Sequence, residues 1–215
     1  VVAKFVDLFV AKKYKRVVLV GSGSSYNIAM SSKYAIEKFL KIPVEVVTPT
    51  AFTKYDYHFK EEAFIVCMSQ SGRSTNTIDA IHRAKECGYD VAAISMIPNS
   101  PLKNHCEHYF DYGSYMGEED SFVCRYFASS VLFYNLFAIE AANKMGVSSK
   151  EEYKQRLKEL NLVVNSMPEV IKKTNDFYEK NKKDLHSMKR GMAMGIGPVY
   201  GLTNEACVKI SETTG

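Results

Sequence analysis

The chain has 215 residues, 46% of them hydrophobic and 24% charged, with a formal net charge of +4. That is the make-up of an ordinary globular protein with room for one large domain, or one domain and part of a second. No apolar run long enough to cross a membrane is present, which argues against a membrane partner, and neither a signal peptide nor a lipidation site is present. The basic runs Lys12-Lys13-Tyr14-Lys15-Arg16 and Lys180-Asn181-Lys182-Lys183 read as solvated helix ends rather than a nucleic-acid stripe.

The predicted elements begin with an amphipathic stretch around Phe5, Leu8 and Phe9. Val17–Val20 reads as a buried strand, followed by the polar loop Gly21-Ser22-Gly23-Ser24-Ser25 and a helix to about Lys41, in which Lys33, Glu37 and Lys41 are spaced for ion pairs. Val44–Val47 is a second strand. Ala63–Met68 is a third, leading through Ser69-Gln70-Ser71-Gly72-Arg73-Ser74-Thr75 into a helix that stops at Gly88. Val91–Ile97 and the region of Tyr109–Tyr112 supply a fourth and fifth strand. Strands alternating with helices predict an α/β fold, a parallel sheet covered on both faces.

A helix from about Phe122 to Met145 is apolar nearly all round and is expected to be buried, against a partner subunit or second domain. Ser149-Lys150-Glu151-Glu152 has capping-box spacing and opens another helix. Pro168 is expected to interrupt it, with Ser166 capping a fresh helix to about Lys183. The pattern Lys15-Arg16, Gly21, Gly23, Tyr26 then recurs as Lys189-Arg190, Gly195, Gly197, Tyr200, with a weaker strand predicted over Gly191–Met194. A repeat of this length suggests a duplicated α/β unit. The predicted organisation is a first domain over 1–146, a helical connector over 147–187, and the start of a second domain over 188–215. The missing initiator Met and the end at Gly215 suggest a piece of a longer protein.

Five cysteines at 67, 87, 106, 124 and 207 form no CxxC pair, the usage expected of a reducing cytoplasm. Gly21-Ser22-Gly23 lacks the third glycine of a dinucleotide fingerprint, since Tyr26 stands there, and no acidic residue closes the second strand. No P-loop is present. His105-Cys106-Glu107-His108 reads as a surface loop rather than a metal site, and His58, His82 and His186 stand alone. What remains is two hydroxyl-rich loops at the carboxyl ends of parallel strands. Hydroxyls and the free N–H groups of a new helix both donate to an anion, which the helix dipole also favours. Such a pair of loops suits a ligand with one phosphate and several hydroxyls. Glu205, Lys209 and Glu212 fall on one helix face, either as a solvent-facing ion-pair stripe or as a carboxylate base beside a lysine.

Three segments together resemble the SIS (sugar isomerase) domain family: Gly21-Ser22-Gly23-Ser24-Ser25-Tyr26, Met68-Ser69-Gln70-Ser71-Gly72-Arg73-Ser74, and Asn204-Glu205-Ala206-Cys207-Val208-Lys209-Ile210-Ser211-Glu212. The similarity is to the isomerase lobe of glucosamine-6-phosphate synthase and to fructosamine 6-phosphate deglycases. It implies tandem three-layer αβα sandwiches, each with a five-stranded, flavodoxin-like parallel sheet, the second truncated here. It further implies that Ser69, Gln70, Ser71 and Ser74 hold a sugar phosphate and that Ser24 and Ser25 approach the sugar. Glu212 would move a proton between the first two sugar carbons beside Lys209, without metal or organic cofactor. A homodimer is expected. Arg73 departs from the synthase pattern, which has an acidic residue there. The expected activity is aldose–ketose isomerisation or deglycation of a fructosamine 6-phosphate. The alternatives are a non-catalytic phosphosugar sensor or the isomerase part of a glutamine-dependent aminotransferase.

Overall fold

The structure, a computed structural model, describes residues 1–59, 62–112 and 124–214. Helix α1 (Val2–Val10) precedes strand β1 (Arg16–Val20), helix α2 (Ser24–Leu40), strand β2 (Val44–Val47), helix α3 (Pro49–Lys54), strand β3 (Ala63–Met68), helix α4 (Thr75–Glu86) and strand β4 (Asp90–Ser95). A 3-10 turn (Pro101–Asn104), strand β5 (His108–Asp111), and helices α5 (Cys124–Lys144), α6 (Lys150–Ser187) and α7 (Pro198–Thr214) follow. The five strands form one parallel sheet in the order β2-β1-β3-β4-β5. The α/β prediction holds, and the five strands expected before residue 113 all form.

Alternation along the central strands feeds two cores. Val17, Leu19, Phe64, Val66, Met68, Ala92 and Ile94 face the layer of α1, α2 and α5, while Val18, Val20, Ile65, Cys67, Val91 and Ala93 face α3, α4 and the 3-10 turn. Strands covered on both sides need apolar residues at every position, which is why these runs read as unbroken hydrophobic sequence. The first core centres on Phe5, whose ring lies 4.9 Å from Phe137, 5.2 Å from Phe110 and Phe133, and 5.6 Å from Phe64, centroid to centroid. The edge-on angles suit the aromatic quadrupole.

Four expectations change. The buried face of α5 is filled by α1 and α2; its expected start at Phe122 lies outside the described residues. Helix α6 runs unbroken for 38 residues through Pro168. The Ser166 hydroxyl donates back to the Val163 carbonyl at 2.8 Å instead of capping a new helix. One missing N–H costs a bounded amount, and continuous helix on either side absorbs it. The capping box at Ser149 and Glu152 forms as predicted, with both reciprocal bonds. Residues 191–194 form no strand among the described residues. Finally, α3, too short for its periodicity to show, begins at the Thr48 cap with Pro49 in its first turn.

The recurring glycine pattern has a backbone counterpart. Gly23 and Gly197 take φ of 55° and 57°, and the turns they belong to close through Ser25 N–H to Ser22 O at 3.1 Å and Val199 N–H to Ile196 O at 3.2 Å. Each turn opens a helix, and the two helices, α2 and α7, pack on one another. Gly201 makes the close approach: a Cβ there would lie 2.1 Å from the Asn27 carbonyl oxygen.

Candidate functional site

Strand β1 connects to β2 on one side and β3 lies on the other, so the chain changes direction across the β1/β3 boundary. Loops leaving neighbouring parallel strands diverge at such a point and leave a cleft at the carboxyl end of the sheet. Here the diverging loops are the two hydroxyl-rich ones. They enclose a cavity of about 180 Å³ lined by Ser22, Ser24, Ser25, Met68, Ser69, Gln70, Ser71, Ser74, Thr77 and Tyr126. Three larger hollows gather fewer hydroxyls: one in the groove between α3 and α4, one beside the edge strand β2, and one of about 440 Å³ on the outer side of the first loop, where Ser22, Tyr26 and Asn27 meet Asn204, Cys207 and Val208 of α7.

The second loop is held from below. Ser69 N–H donates to Ile94 O at 3.1 Å, Met96 N–H to Gln70 O at 3.2 Å, and the Ser95 hydroxyl to Gln70 O at 2.8 Å. Gly72 turns the chain at φ 64°, and its carbonyl accepts from Leu102 N–H at 3.2 Å. A Cβ at Gly72 would lie 2.0 Å from the Ser100 oxygen, so the loop presses directly on the 3-10 turn. Ser74 caps α4, accepting from Thr77 N–H at 3.4 Å and from the Thr77 hydroxyl at 3.0 Å. Ser74 and Thr77 also line the cavity, so the start of α4 borders it, where the macrodipole favours an anion. Arg73 is exposed.

The first loop contributes two serines with different surroundings. The Ser25 hydroxyl, buried, is 2.7 Å from the hydroxyl of Tyr126 on α5. Burial pushes the Tyr126 phenol well up, and the Glu205 charge adds to this against the opposing Ser25 bond, so Tyr126 stays a neutral phenol at physiological pH. The Ser24 hydroxyl instead donates to Glu205 Oε1 on α7 at 2.7 Å, and Asn27 Nδ2 donates to Glu205 Oε2 at 2.9 Å. Glu205 is only 5% exposed, the one buried carboxylate among the described residues.

Lys209 Nζ lies 3.6 Å from Glu205 Oε1 and 2.6 Å from Glu212 Oε2. Burial draws the Lys209 ammonium down, but the Glu212 hydrogen bond and the charges of Glu205 and Glu212 outweigh it and hold its pKa above the ordinary value. The three residues do share a helix face, yet that face is not a uniform solvent-facing stripe. Glu205 is inserted against α2, whereas the Glu212 side chain is half exposed.

All six predicted binding residues, Ser24, Ser25, Ser69, Gln70, Ser71 and Ser74, thus line one cavity. Lys209 and Glu212 do not line it; they reach it through Glu205 and Ser24. Sequence reading missed Tyr126, Thr77, Asn27 and the burial of Glu205, which depend on helix packing; only Thr77, three residues beyond the Ser74 cap, carried a local signal. His82 does not stand alone: its Nε2 is 3.1 Å from His105 Nδ1 at the end of the 3-10 turn, and His186 is 2.9 Å from the Tyr178 hydroxyl. His108 opens β5 rather than lying in a loop. Among the described residues no group of three or more His, Cys, Asp or Glu is placed to hold a metal ion, and no helix is long and apolar enough to cross a membrane.

The family model of the SIS domain matches residues 11–139. The glutamine–fructose-6-phosphate aminotransferase (isomerizing) of Bacteroides thetaiotaomicron is 28% identical over 200 residues, which cover 92% of this chain and 32% of that protein. The chain thus spans about a third of the length of the curated relatives it matches. Among solved structures, the C-terminal domain of glucosamine-fructose-6-phosphate aminotransferase from Francisella tularensis has a TM-score of 0.81 at 20% identity, covering 98% of this chain and 58% of that one. A structure from Clostridium difficile 630 reaches a TM-score of 0.88 at 23% identity, covering 97% of this chain and 60% of that one.

Proposed function

Because the chain belongs to the SIS domain family, we propose that its hydroxyl-lined cleft binds a phosphorylated ketose, or the amino-acid adduct of one, and that the protein isomerises or deglycates it. The observation that carries this reading is the convergence of Ser24, Ser25, Ser69, Gln70, Ser71 and Ser74 on one cavity at the switch point of the sheet. A phosphate needs several donors at once, and the loop before α4 offers hydroxyls beside a helix start. A sugar needs directional polar groups, and the first loop offers them on the wall of the same cavity. The similarity to the aminotransferases, whose names carry fructose 6-phosphate, supports the same ligand class.

In the proposed reaction Glu212 takes the proton from C1 of the open-chain ketose and returns it to C2. The C1 hydroxyl proton passes to the C2 oxygen, so the net change is a 1,2-shift with no redox partner. The ammonium of Lys209, held protonated by Glu205 and Glu212, offsets the negative charge that builds on the enediolate oxygen. Deglycation starts the same way, with the amine leaving as water adds. The test is a panel of hexose 6-phosphates and fructosamine 6-phosphates on the complete chain. Glu212→Gln should bind the active ligand with unchanged affinity and lose turnover by about 100-fold or more, the usual worth of a general base; unchanged turnover would remove Glu212 from the reaction.

One observation favours a second reading, a phosphosugar sensor without turnover: Glu212 lies outside the cavity lining and half exposed. A sensor would bind a panel member tightly and release no product on prolonged incubation. The domain assignment proposed alongside is a first SIS domain over 1–146, a connector over 147–187 and the start of a second over 188–215, with a homodimer as the assembly; the matching turns at Gly23 and Gly197 support the duplication.

A further inference from the structure

Glu205 is buried between α2 and α7, and both its oxygens are occupied. Oε1 accepts the Ser24 hydroxyl at 2.7 Å and faces Lys209 Nζ at 3.6 Å; Oε2 accepts Asn27 Nδ2 at 2.9 Å. A carboxylate surrounded by a hydroxyl, an amide NH₂ and an ammonium can only accept. The consequence falls on Ser24, which lines the cavity. Its single hydrogen is committed to Glu205, so towards a ligand it offers lone pairs alone. Ser25 differs: its bond to Tyr126 can run in either direction. Gly201, with no room for a side chain against the Asn27 carbonyl, lets α7 approach closely enough for Glu205 to reach in.

We infer that Glu205 is a positioning residue: it fixes Ser24 as an acceptor for a ligand hydroxyl or amine, and it holds the Lys209 ammonium beside the cleft. The inference rests on the phosphosugar reading of the cleft. It divides the labour between the loops. Ser24 cannot donate to a phosphate, so the phosphate falls to the Ser69–Thr75 loop and the helix start. The Ser24 side of the cavity selects a ligand that carries a hydrogen-bond donor there, as a sugar does and inorganic phosphate at the far loop does not.

The test compares two probes, glucitol 6-phosphate, an unreactive open-chain sugar phosphate, and inorganic phosphate, titrated calorimetrically into the complete chain. Glu205→Met removes both acceptor oxygens, so the Ser24 hydrogen is no longer held away from the cavity. It should weaken glucitol 6-phosphate by about tenfold, the worth of one well-made buried hydrogen bond, and inorganic phosphate by less than about twofold. Ser24→Ala should give the same selectivity. In parallel, acetic anhydride labelling of Lys209 followed by mass spectrometry should speed up by about threefold or more in Glu205→Met, because the ammonium loses a neighbouring carboxylate. Labelling should stay at the wild-type rate in Ser24→Ala. A parallel loss of both probes would mean that Glu205 only holds the helices together and would overturn the inference, as would unchanged binding of both. If the wild type binds neither probe, the phosphosugar reading fails, and the labelling then decides about Glu205 by itself: an unchanged Lys209 rate overturns its role.

Discussion

Gly72 shows how much of the site depends on a single missing side chain. Its φ of 64° and the 2.0 Å that would separate a Cβ from the Ser100 oxygen are two separate penalties for any other residue. Gly72→Ala should therefore destabilise the protein by about 2–4 kcal/mol, summing left-handed strain and overpacking, as read by urea unfolding. The same push would tilt the loop that carries Ser69 and Ser71, so phosphate affinity should fall with stability. Gly23, at φ 55°, has nothing within 4 Å of where its Cβ would be, so alanine there should cost only the backbone strain. The contrast separates conformational need from crowding.

At the scale of elements, the start of β4 is tied through Asp90 to the segment that joins α1 to β1. Its carboxylate accepts from Lys12 Nζ at 2.7 Å and from the Tyr14 hydroxyl at 2.8 Å. Burial raises the Asp90 pKa, but these two hydrogen bonds and the Lys12 charge outweigh it and leave it below the ordinary value. A carboxylate lowered on folding stabilises the native state above its unfolded pKa of about 3.9, and that contribution disappears as pH falls through the folded value. The stability gap between wild type and Asp90→Asn should thus be constant near neutrality and close on acidification below about pH 4. A gap independent of pH would mean that the tie contributes through packing alone. Helix α6 offers a second element-scale test. Pro168→Ala lets residue 168 donate to the Val164 carbonyl, and protection of that turn in hydrogen exchange should rise by up to about 3 kcal/mol.

For the whole molecule, the sheet was legible because Val17–Val20 and Ala63–Met68 are buried on both faces and so carry unbroken apolar runs. The two serine loops were legible because each sits directly behind such a run. Helix α3 was hidden by its six-residue length, although Thr48-Pro49 carried a cap signal. Pro168 misled because a local rule about helix breaking says nothing of how much helix stands on either side. The role of Glu205 could not be read at all: the spacing put it beside Lys209, but only the packing of α7 on α2 separates the buried carboxylate from the exposed one at Glu212. Local propensity writes the elements; what two helices do where they cross is written in residues more than 170 positions apart, as Ser24 and Glu205 are.

The central claim is that one cavity reads both ends of a sugar phosphate. Calorimetric titration of the wild-type chain with glucitol 6-phosphate and with glucitol tests it most directly, with Ser71→Ala as the third arm. The account predicts saturable binding of glucitol 6-phosphate, no measurable binding of glucitol, and about tenfold weaker binding of the phosphate ester by Ser71→Ala. Equal binding of the two polyols, or an affinity for the ester that Ser71→Ala leaves unchanged, would contradict it.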